Sequence, residues 1–187
     1  MRITGGIARG IRLKTIDEDT LRPATDYLRQ AVFSSLGERV IGQRFLDLFA
    51  GVGGYGLEAW SRGAQSGIFI ENNTKIARVL EDNITTIQRQ LATNVNCPVW
   101  YSDAMTANVG ETFGLVFVDP PYALARAYGS AMLTRFARYL APTSQSCLVF
   151  EMPVDIELPP PPGLKAMRRF AKRGKNSPAA IIYAPDS

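Results

Sequence analysis

Phe45-Leu46-Asp47-Leu48-Phe49-Ala50-Gly51-Val52-Gly53-Gly54-Tyr55-Gly56, with Glu71 beyond it, is the stretch that decides the fold. Residues 45–49 form a short apolar run that leads straight into glycines, the pattern of a buried strand entering a loop. Gly51, Gly53 and Gly56 satisfy G-x-G-x-x-G, and a helix is expected from Leu57 until Gly63 stops it. Glu71 lies 20 residues after Gly51, at the end of a second strand spanning 66–70. Such glycines let the chain turn tightly and bring a ligand against N–H groups at a helix N-terminus, while the acid accepts hydrogen bonds from ribose hydroxyls. A ribose-bearing cofactor is therefore expected. The glycines alone do not choose between a nicotinamide dinucleotide and S-adenosylmethionine, which share this strand-loop-helix design.

Outward from this unit the chain alternates strands and helices. Ile76, Val79, Leu80, Ile84 and Ile87 fall at helical spacing and predict a helix over 74–90. Strands are expected at 99–101, 115–118 and 147–150, the last ending in Glu151, with a helix marked by Met132, Leu133, Phe136 and Leu140 between the last two. Residues 159–162 are an extended proline connector, and 166–173 with 179–184 form two closing strands around a basic turn. Upstream, residues 1–24 read as an irregular or short-strand arm. A helix follows with the stripe Leu28, Val32 and Leu36, capped by Thr25 or Asp26 and ending near Gly37. This order predicts an α/β fold, a mostly parallel sheet with helices on both faces, in one domain: an arm and helix over 1–40 and a Rossmann-like core over 44–187.

Composition narrows the chemistry. An apolar fraction of 46% with 20% charged residues fits a soluble globular chain of 187 residues. With no histidine, an imidazole base, a Ser-His-Asp triad and any His-containing metal site are excluded, and two cysteines are too few for structural zinc, so no metal is expected. Two free-spaced cysteines fit the reducing cytoplasm. No stretch reaches the roughly 20 apolar residues of a membrane span, and the arm lacks the apolar core of a signal peptide. A soluble, untargeted monomer is expected.

The net charge of +4 is unevenly spread. Arg2, Arg9, Arg12 and Lys14 at one end, and Lys165, Arg168, Arg169, Lys172, Arg173 and Lys175 near the other, stand without a single acid among them. The rest holds 11 bases against 17 acids, an acidic body between basic ends. Such ends suit a polyanion, while charged edge strands that resist pairing are the bland reading.

Three features favour S-adenosylmethionine. Asp47, four residues ahead of Gly51, suits the ammonium of a methionine group and would repel a pyrophosphate. Asp103 follows the third strand, where it can receive an adenine amine, with the Ala104 N–H available to a ring nitrogen. The chain also leaves no room for the substrate domain that many dehydrogenases carry. At the end of the fourth strand stands Asp119-Pro120-Pro121-Tyr122. The lone pair of an exocyclic amine is delocalised into its base, so the amine must be held in a changed geometry. The Asp119 carboxylate and Pro120 carbonyl can accept its two N–H groups, the prolines stiffen the turn, and Tyr122 can stack on the base. No histidine is needed, because positioning and electrostatics supply the acceleration.

Together, Arg-Pro-Ala-Thr-Asp (22–26), Asp-Leu-Phe-Ala-Gly-Val-Gly-Gly-Tyr-Gly-Leu-Glu-Ala (47–59), Ser-Arg-Gly-Ala (61–64), Asp103-Ala104 and Asp-Pro-Pro-Tyr (119–122), preceded by Gly5-Gly6 and Arg9-Gly10, resemble the bacterial 16S ribosomal RNA guanine-N2 methyltransferases of the RsmD type. The resemblance implies a Rossmann-like class I methyltransferase fold with a seven-stranded sheet, and a substrate guanine in RNA of the small ribosomal subunit. It implies that Asp47, Gly51 and Gly53 hold the methionine part, Glu71 the ribose, and Asp103 and Ala104 the adenine, with Phe49 and Asn72 also among the cofactor-binding residues. Thr25 and Asp26 would close over the cofactor, Asp119, Pro120, Pro121 and Tyr122 would form the catalytic pocket, and the basic ends would grip RNA. Tyr27, Val52 and Tyr55 depart from the family pattern. Asp-Pro-Pro-Tyr also suits adenine-N6, cytosine-N4 or protein-glutamine methylation, which the basic ends disfavour. An NAD(P)-binding reductase and a non-catalytic RNA chaperone are the readings from other classes.

Overall fold

The sheet alternates its side chains between two apolar layers. Phe45, Phe69, Leu115, Phe117, Cys147 and Val149 face one layer, and Leu46, Leu48, Ile68, Ile70, Val116, Val118, Leu148 and Phe150 face the other. Central strands buried on both faces read as continuous apolar runs, as those of parallel sheets do. The computed structural model describes residues 1–16, 23–171, 174 and 177–186, with backbone alone for 23–25. Its strands are β1 (Arg44–Leu48), β2 (Ser66–Glu71), β3 (Val99–Tyr101), β4 (Leu115–Val118), β5 (Cys147–Pro153), β6 (Leu164–Ala171) and β7 (Pro178–Pro185). They form one seven-stranded sheet in the order β3-β2-β1-β4-β5-β7-β6. The first five are parallel, and β7 runs antiparallel to both its neighbours. This is the mostly parallel seven-stranded Rossmann-like arrangement anticipated above.

Helices cover both faces. The helices α1 (Pro23–Leu36), α2 (Gly54–Ser61) and α3 (Thr74–Leu91) pack on the Phe45 layer. On the opposite layer lie α4 (Tyr122–Ala137) and the segment 104–113. The stripe expected on α1 is buried, with Leu28, Val32 and Leu36 all in the core. Asn73 caps α3, its side-chain oxygen accepting from the N–H groups of Lys75 and Ile76. No described helix is long and apolar enough to cross a membrane.

Two expected boundaries shift. The α1 helix begins at Pro23, a residue whose fixed φ suits a first turn, so Thr25 and Asp26 lie inside it and do not cap it. Asp26 instead places its charge in the first turn, against the positive end of the helix dipole. The α2 helix begins at Gly54 and not at Leu57, because the turn is made at Gly53, with φ of 95° and no room for a Cβ against Leu80 and Leu57. Gly56 is then a helical residue whose missing side chain lets α2 lie on the sheet.

The N-terminal arm is ordered by docking on α2. Arg2 and Arg12 bridge antiparallel, and the backbone N–H of Thr4 and of Ala8 donate to the side chains of Glu58 and Ser61 at 2.8 and 2.9 Å. Glu58 has no exposed surface, and it also accepts from Arg29 at 3.3 Å and Arg62 at 2.7 Å. It joins arm, α1 and α2 at one point.

An alanine methyl at Gly56 would sit 2.3 Å from the ring of Phe69 and 2.7 Å from that of Phe45. Alanine gains about 1 kcal/mol of helix propensity, whereas overpacking a core costs about 1–3 kcal/mol and more when rings must move. Gly56→Ala is expected to lower unfolding free energy by about 2 kcal/mol in urea titrations. An unchanged midpoint would refute this close packing.

Candidate active site

Four neighbouring strands each carry an apolar residue followed two positions later by a carboxylate. The pairs are Phe45 and Asp47, Phe69 and Glu71, Phe117 and Asp119, and Val149 and Glu151. A strand repeats every two residues, so all four acids fall on the face carrying α1, α2 and α3, at the carboxyl ends of the strands. There the strand order reverses between β1 and β4, the crevice where open α/β sheets bind ligands. The acids line a cleft of about 770 Å³, together with Phe49, Gly51, Asn72, Asp103, Pro120, Pro121 and Tyr122.

The glycine loop is held by two of these acids. Asp47, 1% exposed, accepts the Gly56 N–H at 2.8 Å, tying the end of β1 to the first turns of α2. Glu71 accepts the Gly51 N–H at 2.9 Å on one oxygen and the Asn73 N–H at 2.8 Å on the other, bridging the loops after β1 and β2. A carboxylate offers about four acceptor sites, so both oxygens keep capacity for ribose hydroxyls. Phe49, between strand and loop, has φ of 61° and packs edge-on against Phe136 at 6.1 Å. An aromatic residue in the left-handed region costs of order 1–3 kcal/mol, a strain found where a site over-determines its backbone. Asp103 is exposed at the cleft mouth and turns one oxygen back to the Met105 N–H at 2.8 Å.

In the Asp119-Pro120-Pro121-Tyr122 turn, the Pro121 carbonyl accepts from Leu124 and Ala125 at 2.9 and 3.0 Å and so belongs to the first turn of α4. Of the two proline carbonyls, that of Pro120 has no donor among the described residues and is open to a ligand. Tyr122 opens α4 on the cleft wall, half-buried.

Clustered acids raise one another's pKa. Burial pushes Asp47 up to about 8, with Asp119 and Glu71 adding to the rise and the Gly56 N–H opposing it. Burial raises Asp119 to about 6, against the pull of the Arg29 guanidinium. Burial and the neighbouring Asp119 also push Glu151 well up. The one cation within this group is Arg29, 2% exposed, which lines the cleft and is held by Glu58, by Asp26 at 2.9 Å and by the Arg2 carbonyl at 2.5 Å. A cleft whose described lining holds five acids and one basic side chain suits a cationic ligand. Glu71 and Asp103 are the residues there that could hold the ribose and base of a nucleoside-bearing cofactor.

Some assigned residues stand elsewhere. Gly53 and Ala104 do not line the cleft; Gly53 makes the turn beneath it and Ala104 is buried. Asp26 faces a neighbouring depression of about 370 Å³ with Arg2, Arg9 and Tyr27, and reaches the cleft only through its bond to Arg29. The side chain of Thr25, and Lys172, Arg173 and Lys175, lie outside the described residues. Among the basic ends, Arg2, Arg9 and Arg12 are exposed, Lys14 pairs with Asp82 at 2.8 Å, and Arg168 lies over the Phe170 ring at 5.3 Å. Arg169 is exposed as well, and its guanidinium donates to the Val154 and Ile156 carbonyls at 2.6 and 3.1 Å. Sequence reasoning missed Arg29, Tyr55 and Glu151 as cleft residues. Glu151 was legible as the fourth repeat of the apolar-x-acid pattern, whereas Arg29 sits on α1 with only tertiary contacts to reveal it.

The model of the family described as conserved hypothetical protein 95 matches residues 1–181. The chain is 33% identical over 177 residues to the ribosomal RNA small subunit methyltransferase D of Escherichia coli K12, covering 94% of this chain and 86% of that one. It is also 33% identical over 174 residues to YlbH of Bacillus subtilis, provisionally named an rRNA methyltransferase, covering 90% and 91%. Among solved structures, yhhF of Escherichia coli, provisionally named a methyltransferase, superposes with a TM-score of 0.81 at 31% identity, over 99% of this chain and 97% of that one.

A carboxyl raised in the fold from 3.8 to about 8 is neutral in the folded protein over a range where it is charged when unfolded. Its contribution to stability is full below about pH 4 and is lost as pH rises toward 8. Asp47→Asn keeps an acceptor for Gly56 and removes the titration, so the ligand-free variant should lose less melting temperature than the native protein between pH 5 and pH 8. Equal losses in both would exclude a neutral Asp47.

Proposed function

We propose a function from the premise that the chain belongs to the conserved hypothetical protein 95 family, that of the RsmD-type ribosomal RNA methyltransferases: it transfers a methyl group from S-adenosylmethionine to the exocyclic N2 amine of a guanine in 16S ribosomal RNA of the small subunit. The observation that carries this reading is Asp119-Pro120 at the end of β4, opening into an acidic cleft beside a glycine loop. When bound, S-adenosylmethionine supplies an electrophilic methyl on a sulfonium leaving group. Asp47, Glu71 and Asp103 bind and orient it. Asp119 and the Pro120 carbonyl accept the two N–H groups of the target amine and aim its lone pair at the methyl carbon. The new N–C bond forms as the S–C bond breaks, and Asp119, with its pKa pushed up to about 6, is suited to take the proton that the methylated amine sheds. Reaching that pocket requires the base to leave its stack, with the basic ends holding phosphates around it in the cytoplasm where ribosomal subunits are made.

Two measurements test this. The protein should bind S-adenosylhomocysteine and not NAD, and should methylate unmodified 30S particles at a single guanine. Asp119→Ala should keep S-adenosylhomocysteine affinity while turnover falls by about 10²–10³-fold or more. Full turnover in that variant would sink the mechanism. Arg168, Lys172 and Arg173 changed together to alanine should reduce the slope of log affinity against log salt by about 2, at roughly 0.7 per lost phosphate contact. An unchanged slope would remove this segment from the RNA interface.

A further inference from the structure

The cleft contains one more acceptor than a two-hydrogen amine uses. Val118 pairs with Phe150 across β4 and β5, so the next residues in register are Asp119 and Glu151, side by side on the same face. Glu151 is 4% exposed and lines the cleft. The Tyr55 hydroxyl donates to its Oε2 at 2.7 Å, and no described residue donates to its Oε1. Tyr55 cannot easily move away, because its ring stacks on Phe117 at 5.4 Å and packs against Phe33 at 6.2 Å. That oxygen is not sealed in the core but opens on the cleft, where a donor that enters can reach it.

The bases differ in what they would bring there. Guanine presents two N–H groups on N2 and a third on the adjacent ring N1. Adenine and cytosine present two N–H groups on their exocyclic amine, beside a ring nitrogen that carries a lone pair. Asp119, the Pro120 carbonyl and Glu151 are three acceptors, which matches guanine and opposes a lone pair with a carboxylate in the other two.

We propose that Glu151, oriented by the Tyr55 hydroxyl, accepts the ring N1–H of the target guanine beside Asp119, and so selects guanine over adenine and cytosine. This rests on the reading of the cleft as an amino-methyltransferase site. Glu151 is a specificity residue and Tyr55 a positioning residue acting through it. Burial and Asp119 favour the neutral acid at Glu151, whereas Tyr55 and Arg29 favour the carboxylate, and a donated N1–H adds to the second group.

The test uses reconstituted 30S particles whose target guanine is replaced by 2,6-diaminopurine, which keeps the 2-amino group but has a lone pair at N1. The native enzyme should methylate guanine at least about 100-fold more efficiently than diaminopurine in kcat/KM, since sites built to receive a hydrogen bond reject analogues that lack it. Glu151→Gln can turn an amide N–H toward that lone pair, so it should shrink the ratio by at least tenfold without changing S-adenosylhomocysteine affinity. Tyr55→Phe, which keeps the ring packing, should also shrink it. A ratio that is the same in the native enzyme and Glu151→Gln overturns the role of Glu151, and one unaffected by Tyr55→Phe overturns that of Tyr55. If native enzyme methylates no guanine amine at all, it is the underlying reading that fails.

Discussion

The hydrogen bond from the Gly56 N–H to the buried Asp47 carboxylate fixes the rest of the site. It draws the start of α2 over the end of β1, which is possible only because Gly56 offers no side chain to Phe45 and Phe69. With α2 in that place, Gly53 must turn at positive φ, Gly51 directs its N–H to Glu71, and Tyr55 points its hydroxyl at Glu151. One polar contact beneath the cleft is thus linked through the loop and α2 to two further acids, on β2 and β5. A larger residue at Gly56 would disturb the cofactor site and the acceptor pocket together.

Gathering four carboxylates at one end of a sheet is unfavourable in itself, since each must leave water and each repels the others. The fold offsets this with backbone donors to Asp47 and Glu71, the Tyr55 hydroxyl, and the Arg29 guanidinium. Arg29 in turn depends on Glu58, the acid that also anchors the N-terminal arm through the Thr4 N–H and hydroxyl at 2.8 Å each. The arm is therefore part of the site's electrostatics, and Met1 itself lines the cleft. The positive charge that Arg29 brings does not match four acids, and burial with the neighbouring acids pushes Asp47 up to about 8. A cationic cofactor completes the balance, and its binding is expected to release protons.

Much of this was legible in the residues. The strand-glycine-helix unit, the acid 20 residues on and the Asp-Pro-Pro-Tyr turn have local signatures, because short-range sterics and strand periodicity impose them. The start of α2 is harder to read, because several glycines offer competing turns and packing against Leu80, Leu57 and the Phe45 and Phe69 rings decides between them. Arg169 has the same appearance in sequence as Arg168, yet adjacent strand residues face opposite sides. One meets the carbonyls of 154–156 and the other lies over Phe170. A basic cluster read from sequence alone cannot separate charges that hold the fold from charges that are open to a partner.

The acidic body and basic ends are related through the direction of the strands. The β6 strand runs parallel to β5, since both are antiparallel to β7, and Ala171 and Pro153 come level at Ala179 and Pro178. The β6 strand therefore ends, and β7 begins, at the edge where β4 and β5 run out toward Asp119 and Glu151. The arm reaches that edge from the α1 side, with Arg2 and Arg9 around the depression next to the cleft. Arg2 and Arg9 thus stand at the flank of an acidic cleft. On the proposed function, a polyanion drawn to that flank is repelled by the cleft floor, which leaves the floor to a cation and to an uncharged base that donates hydrogen bonds.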